Sequence, residues 1–365
     1  TCFPTAASVA NSWDETLGEE IGTALAEEAV TMDVNVILGP GLNIKRSPLC
    51  GRNFEYFSED PYHAGKMAAA YVRGIQSKGI AACPKHFAAN SQEVRRMAND
   101  SVVDERTFRE IYTTGFEIAI KEGKSKSIMS SYNEVNGIYA NENNHMLQEI
   151  LVDEWGFDGF VVSDWGGSND HALGVKNGSH LEMPGTGKSG MYDIIHAVEN
   201  GDLDESVLDQ RLDELLNVIF STHQATEDAK GKTFDVEAHH NLARKAAEES
   251  IVLLKNEDNC LPLSETLHKD PVLVGPLCDA WYQDWYGGEP HHKSTLKEGL
   301  EKLLNTKIRC VDGWDRITLR AGDQYVAVQE DGTLCLSDKA DLFVKEDWGD
   351  GRINLRCERT GKYVT

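Results

Sequence analysis

A carboxylate that directly follows a buried strand is placed for covalent chemistry, and Asp164 in GFVVSDWGG (Gly159–Gly167) is such a group. Phe160, Val161 and Val162 form an apolar, β-rich run, too short for a helix and bounded by glycine, which predicts a buried parallel strand. Asp164 follows it, then Trp165 and a Gly-Gly turn. An Asp in that position also serves as a helix cap or turn former, so the reading depends on what else comes near. Three further strand ends supply candidates. Arg52 lies in GRNFEYFSEDP, where an ion pair to Glu55 or Glu59 is an equally good reading. Lys85 and His86 directly follow another apolar strand, with Arg96 on the same loop, KHFAANSQEVRR. Three donors there could hold vicinal hydroxyls, although a basic turn can also be merely solvated. Tyr132 in SSYNEVNG also reads as a half-buried aromatic. Positive charge beside a carboxylate lowers its pKa, so Asp164 is expected to stay ionised. That suits a nucleophile attacking an anomeric carbon, with the Trp165 ring stacked on a sugar face.

The elements that must position these residues alternate in type. Ile21, Leu25, Ala29 and Met32 share one face of a helix predicted over Glu19–Met32, ahead of a strand at Val34–Leu38. Asp60-Pro61 is an N-cap followed by proline at the first helical position. The helix it opens carries Ala64, Met67, Ala68, Tyr71, Val72 and Ile75 at three-to-four spacing. Strands at Ile80–Cys83, Ser127–Ser131 and Phe160–Val162 alternate with a helix capped by Asp104 and a short one at Leu147–Trp155. Helices then resume at Met191–Asn200 and Glu205–Phe220. Repetition of strand, polar loop and helix predicts α/β architecture with parallel strands. A doubly wound sheet and a barrel both satisfy it. The barrel is favoured because chemically useful residues follow several strands rather than one glycine-rich turn.

Residues 1–221 therefore read as a TIM-like (β/α) barrel whose first strand is expected to lie before Thr1, since the alternation begins with a helix. THQATEDAKGK is polar and without periodicity, which predicts a linker over 222–234. Asp235 caps the next helix, and IVLLKN and PVLVGP predict short strands of a second α/β domain over 235–315. A helix at Leu296–Leu304 and a strand near Ile308 continue that domain. From Arg316 the character changes. RITLRAGDQYVAVQEDGTLCL and RINLRCERTGKYV align as I-x-L-R…Y-V, with 36 residues between Ile317 and Ile353. That spacing predicts hairpin repeats of part of a β-trefoil over 316–365.

Composition narrows the function classes. Lys plus Arg number 36 against 60 Asp plus Glu, a formal charge of -24, which argues against a nucleic-acid partner. No apolar run approaches the roughly 18 residues that cross a membrane. The eight cysteines are scattered, with no CxxC pair and no metal-type Cys/His spacing, so reduced thiols in a cytoplasmic compartment are expected and no metal or other cofactor. The chain opens without Met, so a preceding segment is expected.

GPGLNIKRSPLCGRNFEYFSEDP, KHFAANSQEVRR, SIMSSYNEVNG and VVSDWGG, in this order and spacing, resemble glycoside hydrolase family 3. LLKNEDNCLPL and GPLCDAWYQDWYGG resemble the start of that family's second domain, so the likeness spans roughly Thr1 to Asp315. It implies a retaining exo-glycosidase of the β-glucosidase type, a barrel followed by an α/β sandwich, with a fascin-like trefoil inserted from Arg316. It implies Asp164 as the nucleophile, and Arg52, Lys85, His86, Arg96, Tyr132 and Trp165 as the lining of the subsite for the non-reducing sugar. A β-glucoside or oligosaccharide is then the substrate, and the remainder of the polypeptide a structural partner. A β-xylosidase, another exo-glycosidase of the family or a catalytically incomplete carbohydrate-binding fragment remain alternatives, and homo-oligomerisation stays open. No glutamate here matches the family's acid/base motif, which is expected beyond Thr365. His180 in GSHLEMPG stands where the family usually has Asp, so a hydrogen bond at the barrel end is expected to be disturbed.

Overall fold

The structure, a computed structural model, describes residues 1–262, 271–281, 286–288, 293–347, 349 and 351–364. They form two compact units, Thr1–Leu253 and Leu254–Thr365. Leu263 and residues 282–285, parts of two of the motifs above, lie outside the described residues.

In the first unit, helices Glu15–Thr31 and Pro61–Gln76 start where side chains satisfy their free N–H groups. Asp14 accepts from Thr16 N, and Asp60 from Tyr62 N and His63 N. The two helices touch backbone to backbone. A Cβ on Gly74 would lie 2.2 Å from Glu19 O, and one on Gly22 would lie 2.6 Å from Tyr71 O. Gly74→Ala therefore tests packing against propensity. Alanine should gain about 1 kcal/mol in helix propensity, but the forced separation of two packed helices costs roughly 1–3 kcal/mol. The expected outcome is a lower urea midpoint.

The strands of this unit are short and parallel. Val36–Ile37 pairs with Ala81–Ala82, and Ser127–Met129 pairs with Phe160–Val162. Single bridges Phe87↔Ser130 and Val162↔Leu181 extend the parallel order on either side. Successive segments are thus neighbours in chain order. Along the strands the buried side chains alternate between two clusters. Met129, Phe160 and Val162 join Ala81, Cys83 and Val218, while Ile128 and Val161 enter the larger core with Leu42, Phe87 and Phe116. Both faces are buried, as covered parallel strands require.

Three expectations are corrected, the linker, the start of the second domain at Asp235 and the strand at IVLLKN. Residues 222–229 of the expected linker 222–234 are not a linker, because helix Glu205–Ala229 runs through them and Thr222, Thr226 and Ala229 are buried. Asn35 Nδ2 donates to Thr222 O and Thr226 Oγ1, at 3.1 and 3.4 Å. The threonines looked polar, yet Thr222 Oγ1 bonds its own helix at Val218 O, leaving the methyl to pack. The following helix, Val236–Glu249, capped by Asp235, also belongs to this unit, with Ala246 in the core and His239 between Glu27 and Glu28. IVLLKN forms no strand. Ile251, Val252, Leu253 and Leu254 are exposed, and a strand needs a hydrogen-bonded neighbour, which this segment lacks among the described residues.

In the second unit, Val272–Val274 and Arg309–Val311 pair in parallel across helix Leu296–Leu304. Antiparallel hairpins follow. Arg320–Ala321, Gln324–Val328 and Leu334–Ser337 form one sheet, and Asp315–Ile317, Phe343–Asp347 and Ile353–Cys357 another. The internal repeat has a structural counterpart, because Arg320 lies opposite Tyr325 and Arg356 bridges Tyr363. Val328, Phe343 and Cys357 form the small core of these hairpins.

Candidate active site

Asp164 sits two residues beyond the end of the Phe160–Val162 strand, and its backbone is pinned from both sides. Ser130 N donates to Val162 O at 2.9 Å, Ser163 N to Leu181 O at 2.9 Å, and Gly166 N to Met183 O at 2.8 Å. The turn closes through Gly167 N to Asp164 O at 2.8 Å. The carboxylate is buried, and Oδ1 accepts from Trp165 N at 2.7 Å. Oδ2 has no hydrogen-bond partner among the described residues and lies 3.5 Å from His86 Nε2.

His86 is 1% exposed. Arg52 Nη2 lies 3.0 Å from its Nε2, and a guanidinium only donates, so Nε2 is the acceptor. The ring proton then sits on Nδ1, 3.2 Å from Asn43 Oδ1. Asn43 also grips the backbone, accepting from His86 N at 2.7 Å and donating to His86 O at 2.8 Å. Burial, with the charges of Arg52, Lys85 and Arg96, holds His86 well below the ordinary imidazole pKa. His86 is therefore neutral, and its one ring acceptor takes Arg52 rather than its ring serving as the third donor of its loop.

The remaining side chains converge on the same place. Arg52 Nε pairs with Glu55, and Lys85 Nζ lies 3.6 Å from Glu55 Oε2. The ion-pair reading of Arg52 holds, and the same guanidinium also contacts His86. Arg96 donates to Glu93 Oε2 at 2.6 Å and stacks 4.5 Å above the centre of the Tyr132 ring. Tyr132 donates to Trp165 O at 2.8 Å, and its pKa is pushed up to about 12 by burial and the Asp164 charge. Trp165 is 45% exposed, which leaves ring surface for stacking.

The direction of the Asp164 shift is the reverse of the one expected. Burial raises its pKa above the ordinary carboxylate value and outweighs the lowering by the Trp165 N–H and by Arg52, Arg96 and Lys85. Three nearby cations do not compensate for lost water.

Several contributors had no signal in the sequence. Asn43 and Glu93 are ordinary loop residues until the fold sets them against His86 and Arg96. Glu142, 3% exposed, accepts from Asn169 N at 2.7 Å and Asp170 N at 3.2 Å, tying down the loop after Trp165. Its neighbour Asn141 accepts from Ser130 Oγ and Ser179 Oγ, at 2.9 and 3.0 Å. Among the described residues, no group of three or more His, Cys, Asp or Glu side chains is arranged to hold a metal ion.

Residues 1–218 match the glycosyl hydrolase family 3 N terminal domain. The chain is 52% identical over 267 residues to thermostable beta-glucosidase B of Acetivibrio thermocellus, covering 73% of this chain and 35% of that protein. It is 45% identical over 264 residues to an exo-alpha-(1->6)-L-arabinopyranosidase of Bifidobacterium longum, covering 72% and 34%. Among solved structures, the GH3 beta-glucosidase of Bifidobacterium adolescentis superposes with a TM-score of 0.82 at 38% identity, covering 86% of this chain and 46% of that one. The chain thus spans roughly a third to a half of these relatives' length. With the domain match covering more than half of its residues, the chain belongs to glycosyl hydrolase family 3.

Proposed function

We propose that this chain carries the nucleophile and the sugar-holding subsite of a retaining exo-glycosidase that removes terminal, non-reducing β-D-glucosyl residues. One observation carries the reading. Asp164 Oδ2 is buried and unpartnered among the described residues, at a strand end where Arg52, Lys85 and Arg96 all act on its charge. In the proposed first step Oδ2 attacks the anomeric carbon as the aglycone oxygen leaves with a proton, giving a covalent glycosyl–Asp164 intermediate. Water then displaces Asp164 with overall retention. Arg52, Lys85 and Arg96 donate to sugar hydroxyls, His86 orients the Arg52 guanidinium through its Nε2 lone pair, Tyr132 fixes the Trp165 backbone, and the Trp165 ring covers a sugar face. The general acid is assigned to no residue of this chain, since Glu55 serves Arg52 and Lys85, and Glu93 serves Arg96.

We read the successive parallel segments of the first unit as the arc of a TIM-like barrel, supported by their chain-order adjacency. The repeated hairpins after Arg316 support a fascin-like trefoil.

The test is covalent trapping with 2,4-dinitrophenyl 2-deoxy-2-fluoro-β-D-glucopyranoside. Dinitrophenolate leaves without protonation, so the reaction reads the nucleophile alone. Peptide mapping should find the adduct on Asp164, and an adduct elsewhere, or none, sinks the assignment. The arabinopyranosidase relative supports a second reading, in which the subsite takes a pentopyranose. Aryl α-L-arabinopyranoside and β-D-xylopyranoside, run beside the β-D-glucopyranoside, separate these by relative kcat/KM.

A further inference from the structure

His180, in GSHLEMPG, has a side chain only 2% exposed. Its backbone runs beside the strand that carries Asp164. His180 N and Leu181 N both donate to Val161 O, at 3.0 and 3.1 Å, and Leu181 bridges Val162 in parallel. The ring completes this pairing. Val161 N donates to His180 Nδ1 at 3.0 Å, so Nδ1 carries no proton and the ring proton sits on Nε2. Nε2–H donates to Glu214 Oε2 at 2.7 Å. Glu214 is held in turn by Arg211 Nη1 at 2.5 Å and Gln210 Nε2 at 2.9 Å. The charged groups facing the ring are Glu214 and Arg211, both on helix Glu205–Ala229. Gln148, from the helix His145–Glu154, is neutral and accepts from Arg211 Nη2 at 3.2 Å. The expected disturbance at this position does not arise, because an imidazole lone pair accepts the strand N–H. What changes is that this acceptor can be lost to a proton.

We propose that neutral His180 is a positioning residue for Asp164, gripping the Phe160–Val162 strand through its Nδ1 lone pair, and that protonation of His180 releases the grip and slows attack by Asp164. The catalytic half of this statement rests on the reading of Asp164 as nucleophile. The physics is a donor count. A protonated imidazole has two N–H groups and no acceptor, so Val161 N–H would face another N–H with no water to turn to. The surroundings favour the neutral ring. Burial lowers the His180 pKa, the Glu214 hydrogen bond opposes that, and Arg211 lowers it further, leaving it below the ordinary imidazole value. Burial would raise Glu214, but hydrogen bonds from His180 and Gln210 and the Arg211 charge hold it at about 2, so it stays the acceptor for Nε2–H.

The sign of the pH effect follows. With the folded pKa depressed, the unfolded chain takes up the proton first as pH falls below about 6.5. Stability from this group is complete above that value and is lost as pH falls toward the folded pKa.

Two variants test the proposal. His180→Asn sets an amide oxygen near the Nδ1 position, an acceptor that does not titrate, whereas His180→Ala removes the acceptor. Thermal unfolding and the rate of Asp164 trapping by the dinitrophenyl fluoroglucoside would be followed from about pH 7.5 to about pH 4.5. Wild type should lose Tm and trapping rate together on the acid side. His180→Asn should lack that component of the Tm curve, and its trapping rate should show only the acid limb of Asp164 itself. At neutral pH, His180→Ala should be trapped about tenfold more slowly than wild type, the loss of one buried acceptor. His180→Asn should fall between the two. Long-range 1H–15N spectra of the imidazole should place the proton on Nε2. Coincident Tm–pH curves for wild type and His180→Asn, or a proton on Nδ1, overturn the proposal. If wild type is not trapped at any pH, the nucleophile reading fails, while Tm and the imidazole spectrum still decide whether His180 grips the strand.

Discussion

Asp164→Asn is expected to abolish covalent trapping by the fluoroglucoside and to cut glucosidase turnover by roughly 10⁴-fold or more, the scale seen when a covalent nucleophile is removed. An amide oxygen of the same size keeps the Trp165 N–H bond but cannot form a glycosyl ester. The same change should stabilise the fold. Asp164 has a raised folded pKa, so its contribution to stability is fully present below the unfolded value near 3.8 and is lost as pH rises through the folded pKa. At neutral pH the ionised side chain is therefore a net cost to folding, which asparagine removes. The paired outcome, lower activity with a higher Tm, distinguishes a functional carboxylate held at the expense of stability from a structural one. If Tm falls as well, Asp164 is a turn former whose loss of function is indirect.

Arg52→Ala should produce the second-largest effect, and in the opposite direction for stability. Arg52 is 8% exposed and serves Glu55 and His86 Nε2 together. Without it, Glu55 retains Lys85 at 3.6 Å, and the His86 lone pair faces Asp164 Oδ2 at 3.5 Å with no donor between them. Breaking a buried ion pair from one side typically costs about 3–5 kcal/mol, and the lower end applies here because Lys85 remains. Two consequences are measurable. Tm should fall by several degrees, and the trapping rate should drop by roughly 10²-fold as a sugar-binding donor and a charge acting on Asp164 disappear together. Arg52→Lys should recover part of the stability through Glu55 but little of the rate, since one ammonium does not reproduce the two directed contacts of the guanidinium. Wild-type Tm and trapping rate in Arg52→Ala would show that the Arg52 contacts carry no energy.

What the sequence by itself determined was local. Asp60, Asp104 and Asp235 cap the helices they were expected to cap, because a cap needs only a short side chain and the N–H groups two or three residues on. The Phe160–Val162 strand, helix Leu296–Leu304 and the paired hairpins after Arg316 were legible for the same reason: periodicity, length and turn residues act over a few positions. The motifs also named the residues that converge around Asp164. The tertiary structure alone decided the physical state of those residues. Whether Asp164 is raised or lowered depends on how far the assembled fold removes it from water, and here burial outweighs three cations. Which nitrogen of His86 or His180 holds the proton depends on Arg52 in one case and Val161 and Glu214 in the other, partners brought in from 34, 19 and 34 residues away. The same limit explains the misread segments. Residues 222–229 are helical because Asn35 and buried small side chains receive them, and IVLLKN, with a strand's composition, is no strand without a neighbour to pair with. Composition and spacing can nominate a donor, an acceptor or a strand. Only the assembled fold supplies the partner and removes the water, and those two acts set the protonation, pairing and burial on which the chemistry depends.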